Sequence, residues 1–166
     1  YGWHVISTDA VRKQISGVGE ATRVWVPYAT GLYSPEMNER TYAESCRRAG
    51  DLLDAGLPVA LDGAFKTREQ CQAVIDMARE HGADVRFVET VCDPAYQRER
   101  LETRQAYDTH TDGRIELMDR QRREFESPAA DVAHLFERIS TDGPGAETRA
   151  VVVAHLRELG MLEPPR

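Results

Sequence analysis

Apolar positions along this chain follow two alternating rhythms, short runs of four or five residues and longer stripes at three- and four-residue steps. The first run, Trp3-His4-Val5-Ile6-Ser7, reads as a short strand that delivers Thr8 and Asp9 to its carboxyl end and passes into a helix over 10–15. Residues 17–35 are rich in Gly, Thr, Tyr and Pro and hold no sustained period, the pattern of a loop. Ser34 then caps a long helix from about Glu36, with Tyr42, Cys46, Ala49 and Leu53 on one face and Gly56 as its stop. Pro58-Val59-Ala60-Leu61-Asp62 is an apolar run closed by an acid and Gly63, as in a buried parallel strand. Thr67 caps the next helix, whose stripe is Cys71, Val74, Ile75 and Ala78 and whose stop is Gly82. A third strand follows over 84–92, then a helix rich in arginine from Asp93-Pro94, a polar loop over 105–113 and a charged helix to about Phe125. A fourth strand over 134–140 and a helix over 146–159 close the series.

Strands alternating with helices of this length require right-handed crossovers and a parallel sheet, so the class is α/β. The length of 166 residues suits a single domain with one core. In such sheets ligands bind beyond the carboxyl ends of the strands, and two of those ends carry an acid, Asp9 and Asp62.

Charge and composition narrow the partners. The formal net charge of −7 disfavours nucleic-acid binding through a general basic surface and leaves open a local basic cleft. Lys13 and Lys66 are the only lysines among 21 basic residues; the arginine bias suits bidentate phosphate binding, and it also fits a genome of high GC content. Cys46, Cys71 and Cys92 form no C-x-x-C pair and have no histidine at ligand spacing, so neither a disulfide framework nor a structural zinc follows. No signal peptide is recognisable, and no apolar run approaches the roughly 18 to 20 residues of a membrane span. A soluble, cytoplasmic protein without a membrane partner is expected.

Four features carry candidate chemistry: Asp9 with Arg12 one turn later, Asp62 at the end of an apolar strand, Arg98, Arg100 and Arg104 on one helix, and the loop and helix after them. Each has an ordinary alternative. An acid after a strand can simply cap a helix, and an arginine-rich helix can be a solvated face held by i,i+4 pairs. The acid closing an apolar strand is more specific, because carboxylates recur at that place where magnesium and nucleotide phosphates are handled.

In order and spacing, Val5-Ile6-Ser7-Thr8-Asp9-Ala10-Val11-Arg12-Lys13, Tyr33-Ser34-Pro35-Glu36 with Thr41-Tyr42-Ala43, Val59-Ala60-Leu61-Asp62-Gly63-Ala64-Phe65, and Cys92-Asp93-Pro94 with the arginines through Arg104 resemble the P-loop kinase family often labelled "AAA domain" or "predicted kinase". Polynucleotide 5′-kinases belong to the same group, and zeta-toxin and chloramphenicol phosphotransferase are more distant relatives. The resemblance runs from about residue 4 to residue 128. It implies a parallel sheet flanked by helices, an arginine-bearing lid over about 98–125, ATP and Mg2+ as cofactors, and a hydroxyl-bearing acceptor. It implies that Asp9 accepts or orients the acceptor proton, that Arg12 steadies the acceptor or the transferred phosphate, and that Asp62 lies near the metal or acceptor. Arg100 and Arg104, with Arg98 as a third, match lid arginines that close on ATP phosphates. Such a set suits a loose transition state, in which alignment and cationic clamping supply most of the catalysis.

Residues 17–35, with Arg23, Trp25, Tyr28 and Tyr33, are expected either to border the acceptor site or to cover the core. Asp108, His110 and Asp112 mark a lid tip or an ordinary exposed loop. One departure from the family pattern is plain: no G-x-x-x-x-G-K-S/T occurs in the 166 residues. The expectation is a phosphate loop on a βα unit preceding Tyr1, against the alternative of a nucleotide-site remnant. Three functions follow: a kinase for a small molecule or a polynucleotide 5′ end, a non-catalytic degenerate domain serving as a module fused to a larger protein, and a nucleotide hydrolase without an acceptor.

Overall fold

Each apolar run of the sequence becomes a strand and each stripe a helix in the computed structural model, which describes residues 2–19, 22, 30–107, 122–143 and 145–162. The order is β1 (His4–Ser7), α1 (Thr8–Ile15), a 3-10 turn (Gly31–Tyr33), α2 (Pro35–Asp54), β2 (Val59–Asp62), α3 (Arg68–Glu80), β3 (Phe87–Val91), α4 (Pro94–Tyr107), a second 3-10 turn (Ala133–Leu135), β4 (Phe136–Ser140) and α5 (Gly145–Glu158).

Local chemistry sets the boundaries. The Ser34 hydroxyl accepts the Met37 amide, and Pro35 occupies the first turn of α2, where its missing N–H costs nothing. Thr67 and Gln70 complete a reciprocal capping box on α3, and Gly82 ends that helix with φ +64°. The third strand is shorter than its apolar pattern, because pairing begins where Phe87 meets Phe136. The fourth likewise begins at Phe136, and residues 133–135 turn as a 3-10 helix ahead of it.

The strands pair two by two. β1 and β2 run parallel in the register Val5↔Ala60 to Ser7↔Asp62, and β3 and β4 run parallel from Phe87↔Phe136 to Val91↔Ser140. Among the described residues no ladder joins β2 to β3. Between them lies a cleft of about 1190 Å³, lined by the whole of both strands, by Val74, Met77 and Ala78 of α3, and by Val152 and Leu156 of α5. Ile6, Val11 and Ala49 form the centre of the core, with Leu52, Val59, Leu61 and Met77 packed around them. An aromatic row, Tyr42, Phe65, Phe87 and Phe136, runs from α2 past the β2–α3 loop to β3 and β4.

The buried face of α2 differs from its apolar stripe. Thr41 and Ser45 are fully buried beside Tyr42 and Ala49, while Cys46 is half-buried. Their hydroxyls donate to the carbonyls of Met37 and Thr41, four residues back, so both enter the interior with their hydrogen bonds satisfied.

Candidate active site

Parallel pairing of β1 with β2 puts both acids at one end of the same half-sheet. Ser7 is paired with Asp62, and α1 starts at the next residue, so Asp9 lies in its first turn. A carboxylate there is favoured by the positive end of the helix dipole. The cap position itself belongs to Ser7, which makes no side-chain cap bond, and Asp9 sits two residues further on. Asp62 is exposed and Asp9 half-buried.

The loop after Asp62 is held unusually close. A Cβ at Gly63 would stand 2.7 Å from both Cγ2 and Oγ1 of buried Thr8, so only glycine lets the β2–α3 loop approach the start of α1 this far. Two residues later Phe65 adopts φ +41°, the one non-glycine residue at positive φ among those described. Its backbone N–H donates to the Tyr42 hydroxyl at 3.2 Å, and burial raises the Tyr42 hydroxyl above its ordinary range.

Arg12 lies one turn beyond Asp9 and is only 5% exposed. Nη1 donates to the Leu32 carbonyl at 3.2 Å and to Asn38 Oδ1 at 2.7 Å, and the guanidinium sits 5.0 Å over the Tyr33 ring. Its Nε is buried and has no hydrogen-bond partner among the described residues. Arg12 and Tyr33, separate candidates in the sequence, are therefore one unit. Lys13, the next residue on α1, is buried and engaged.

The arginines of α4 divide. Arg98 is exposed. Arg100 lies 4.5 Å over the Tyr96 ring, and its Nη2 donates to the Gly143 carbonyl at 2.7 Å. The Tyr96 hydroxyl donates to the same carbonyl, at 2.9 Å. Arg100 thus faces the turn after β4. The backbone of Arg104 lies on α4, and its side chain falls outside the described residues, as do Arg23, Trp25, Tyr28, Asp108, His110 and Asp112.

Several residues at these strand ends have no recognisable role in the sequence. Asp142 accepts the Asp93 amide at 2.7 Å and the Ser140 hydroxyl at 2.9 Å, and these bonds, the first foremost, lower its carboxyl pKa. A signal for it existed: Ser140-Thr141-Asp142-Gly143 repeats the acid-glycine ending of Leu61-Asp62-Gly63. Arg122 Nη2 donates to the Cys92 carbonyl and to Gln97 Oε1, while Lys66 pairs with Glu124 at 3.1 Å. These contacts tie residues 122–124 to the ends of β3 and β2. Asn38 had no signal at all, since nothing in the spacing of a helical asparagine foretells which arginine it meets.

Among the described residues no three acids, histidines or cysteines gather as a metal cage. That is compatible with magnesium, which takes one or two carboxylates and completes its shell with phosphate oxygens and water. Exposed Asp62 has the right donor chemistry for it.

Comparison with known proteins bears on this geometry. A family model described as "AAA domain" matches residues 1–128. A gluconokinase from Sinorhizobium meliloti 1021 superposes with a TM-score of 0.59 at 18% identity, over 95% of this chain and 79% of that one. A protein provisionally described as a kinase, from Chloroflexus aurantiacus j-10-fl, gives 0.64 at 17% identity, over 97% and 85%. A tunicamycin resistance protein from Deinococcus radiodurans gives 0.59 at 10% identity, over 99% and 87%. At these identities the likeness establishes the shared α/β fold. No curated protein matches the chain at a significant level.

Proposed function

The chain belongs to the AAA domain family of P-loop proteins, and from that membership we propose that it is an ATP-dependent phosphotransferase acting on a hydroxyl group. The observation that carries this reading is the placement of Asp9 and Asp62 at one end of the paired strands β1 and β2, with Arg12 one turn from Asp9. Phosphoryl transfer needs an acid beside the acceptor hydroxyl and cations beside the phosphoryl oxygens, with little covalent chemistry from the protein.

In this reading Asp9 accepts or orients the acceptor proton. Arg12 steadies the acceptor or the transferred phosphate, with its guanidinium held by Leu32, Asn38 and Tyr33. Asp62 holds magnesium or the acceptor; the ion, when bound, would neutralise charge on the phosphate oxygens. Arg98, Arg100 and Arg104 serve the nucleotide from α4. For Arg100 that role requires exchanging the Gly143 carbonyl for a phosphate oxygen. Arg23 borders the acceptor together with Tyr33.

The phosphate loop is assigned to a βα unit outside residues 1–166. The cleft between β2 and β3 supports this, because both strands present to it an edge without a ladder partner among the described residues. A small-molecule acceptor is favoured over a polynucleotide 5′ end by the net charge of −7. The kinase descriptions of two structures with this fold point to the same class.

The reading is tested by Asp9→Asn, which should abolish transfer while leaving ATP affinity within about twofold, since the substitution removes the proton acceptor and keeps the shape. Undiminished transfer by that variant would refute the role of Asp9.

A further inference from the structure

Asn38 and Tyr42 stand one turn apart on α2 and so share a face of that helix. Each holds a different acid-bearing segment. Asn38 Oδ1 accepts from Arg12 Nη1 at 2.7 Å, and Arg12 lies on α1 one turn beyond Asp9. The Tyr42 hydroxyl accepts the N–H of Phe65 at 3.2 Å, three residues beyond Asp62. The residue so held has φ +41°, a conformation that a side chain disfavours and that its surroundings must impose.

We propose that Asn38 and Tyr42 are positioning residues, a bracket on α2 that fixes the Asp9 helix and the Asp62 loop relative to one another. The assignment rests on the reading of Asp9 and Asp62 as the acids of the transfer reaction. α2 is suited to be the fixed member. It is 20 residues long, capped by Ser34, and anchored through buried Thr41, Ser45 and Ala49. The two contacts are also separable from packing. Without its hydroxyl the Tyr42 ring still meets Phe65 edge-on, with centroids 5.2 Å apart. The Leu32 carbonyl and the Tyr33 ring still receive Arg12 when Asn38 is replaced, but among the described residues no other α2 side chain then bonds its guanidinium. One helix face thus sets two carboxylates, one at the start of α1 and one at the end of β2, and Gly63 against Thr8 sets how closely the segments approach.

The test is backbone hydrogen exchange, read residue by residue, in the wild type, Tyr42→Phe, Asn38→Leu and Asn38→Asp, with steady-state phosphoryl transfer measured on the same full-length proteins. Tyr42→Phe should speed exchange at Phe65 by about tenfold, as expected for one lost hydrogen bond, and leave α1 and α3 unchanged. Asn38→Leu should speed exchange at Tyr33 and Ser34, the turn that Arg12 holds, and Asn38→Asp, which keeps an acceptor for Nη1, should restore it. Both disruptive variants should lower kcat by roughly tenfold at unchanged KM for the nucleotide, with Asn38→Asp recovering it. Exchange that rises evenly through β1, β2 and α3, or that changes at neither segment, would overturn the bracket. So would local loosening without loss of kcat. Absence of transfer in the wild type would instead count against the phosphotransferase reading, and the exchange pattern would still decide the bracket.

Discussion

At Gly63 a single added methyl group would meet Thr8 at 2.7 Å, and Thr8 is buried at the junction of β1 and α1. Gly63→Ala is therefore expected to destabilise the protein by about 1–3 kcal/mol, the usual range for forced overpacking. Adding Thr8→Ser, which removes Cγ2, should recover part of the loss in urea unfolding; equal midpoints for the single variant and the wild type would show that the close approach does not exist. The pair also marks where the sequence stops being legible. Asp62-Gly63 was readable as a strand end, because an acid and a glycine directly after an apolar run close a strand far more often than they continue one. That the glycine answers to Thr8 was not readable, because the contact joins residues 55 positions apart through pairing of β1 with β2. Arg12 was legible as a candidate and its partners were not, for the same reason: Leu32 and Asn38 lie 20 and 26 positions away. The cysteines follow their surroundings, since burial raises the thiols of Cys46 and Cys71. Both should react slowly with maleimide at neutral pH and speed up on unfolding.

Among the elements, α3 was almost wholly legible, because cap, stripe and stop are all local. Its capping box predicts that Thr67→Ala costs about 1 kcal/mol in denaturant unfolding. The long helix α2 was legible in extent but not in its buried face, where Thr41 and Ser45 displace the expected apolar position through bonds to their own backbone. Its exposed side carries a charge cluster: Glu44 accepts from Arg47 and Arg48, and those bonds hold its carboxyl at about 2, against an ordinary 4.5. The sign follows from that depression. The contribution of Glu44 is complete above its ordinary range and is lost as pH falls through about 2. Far-ultraviolet dichroism should accordingly show helix weakening over that acid window. High salt should shrink the Glu44 contribution, because Arg47 is largely exposed and such pairs are screened. A helix signal indifferent to pH in that window would contradict the cluster.

For the molecule as a whole, the class and the order of elements followed from alternation of runs and stripes, and the paired acids followed from the rule that parallel sheets bind at their carboxyl ends. The division into two half-sheets did not, since each strand reads alike whether its neighbour is present or not. That division is central to the functional account, because two parallel edges line one cleft of about 1190 Å³ and the family's phosphate loop is not among these 166 residues. The account is tested most directly by calorimetric titration of ATP with magnesium into residues 1–166 and into the polypeptide at its full native length. Saturable binding of one nucleotide by the native-length polypeptide, and none by residues 1–166, is the predicted result. Absence of binding by both would contradict the account and leave the chain as a kinase-like fold kept for binding something else.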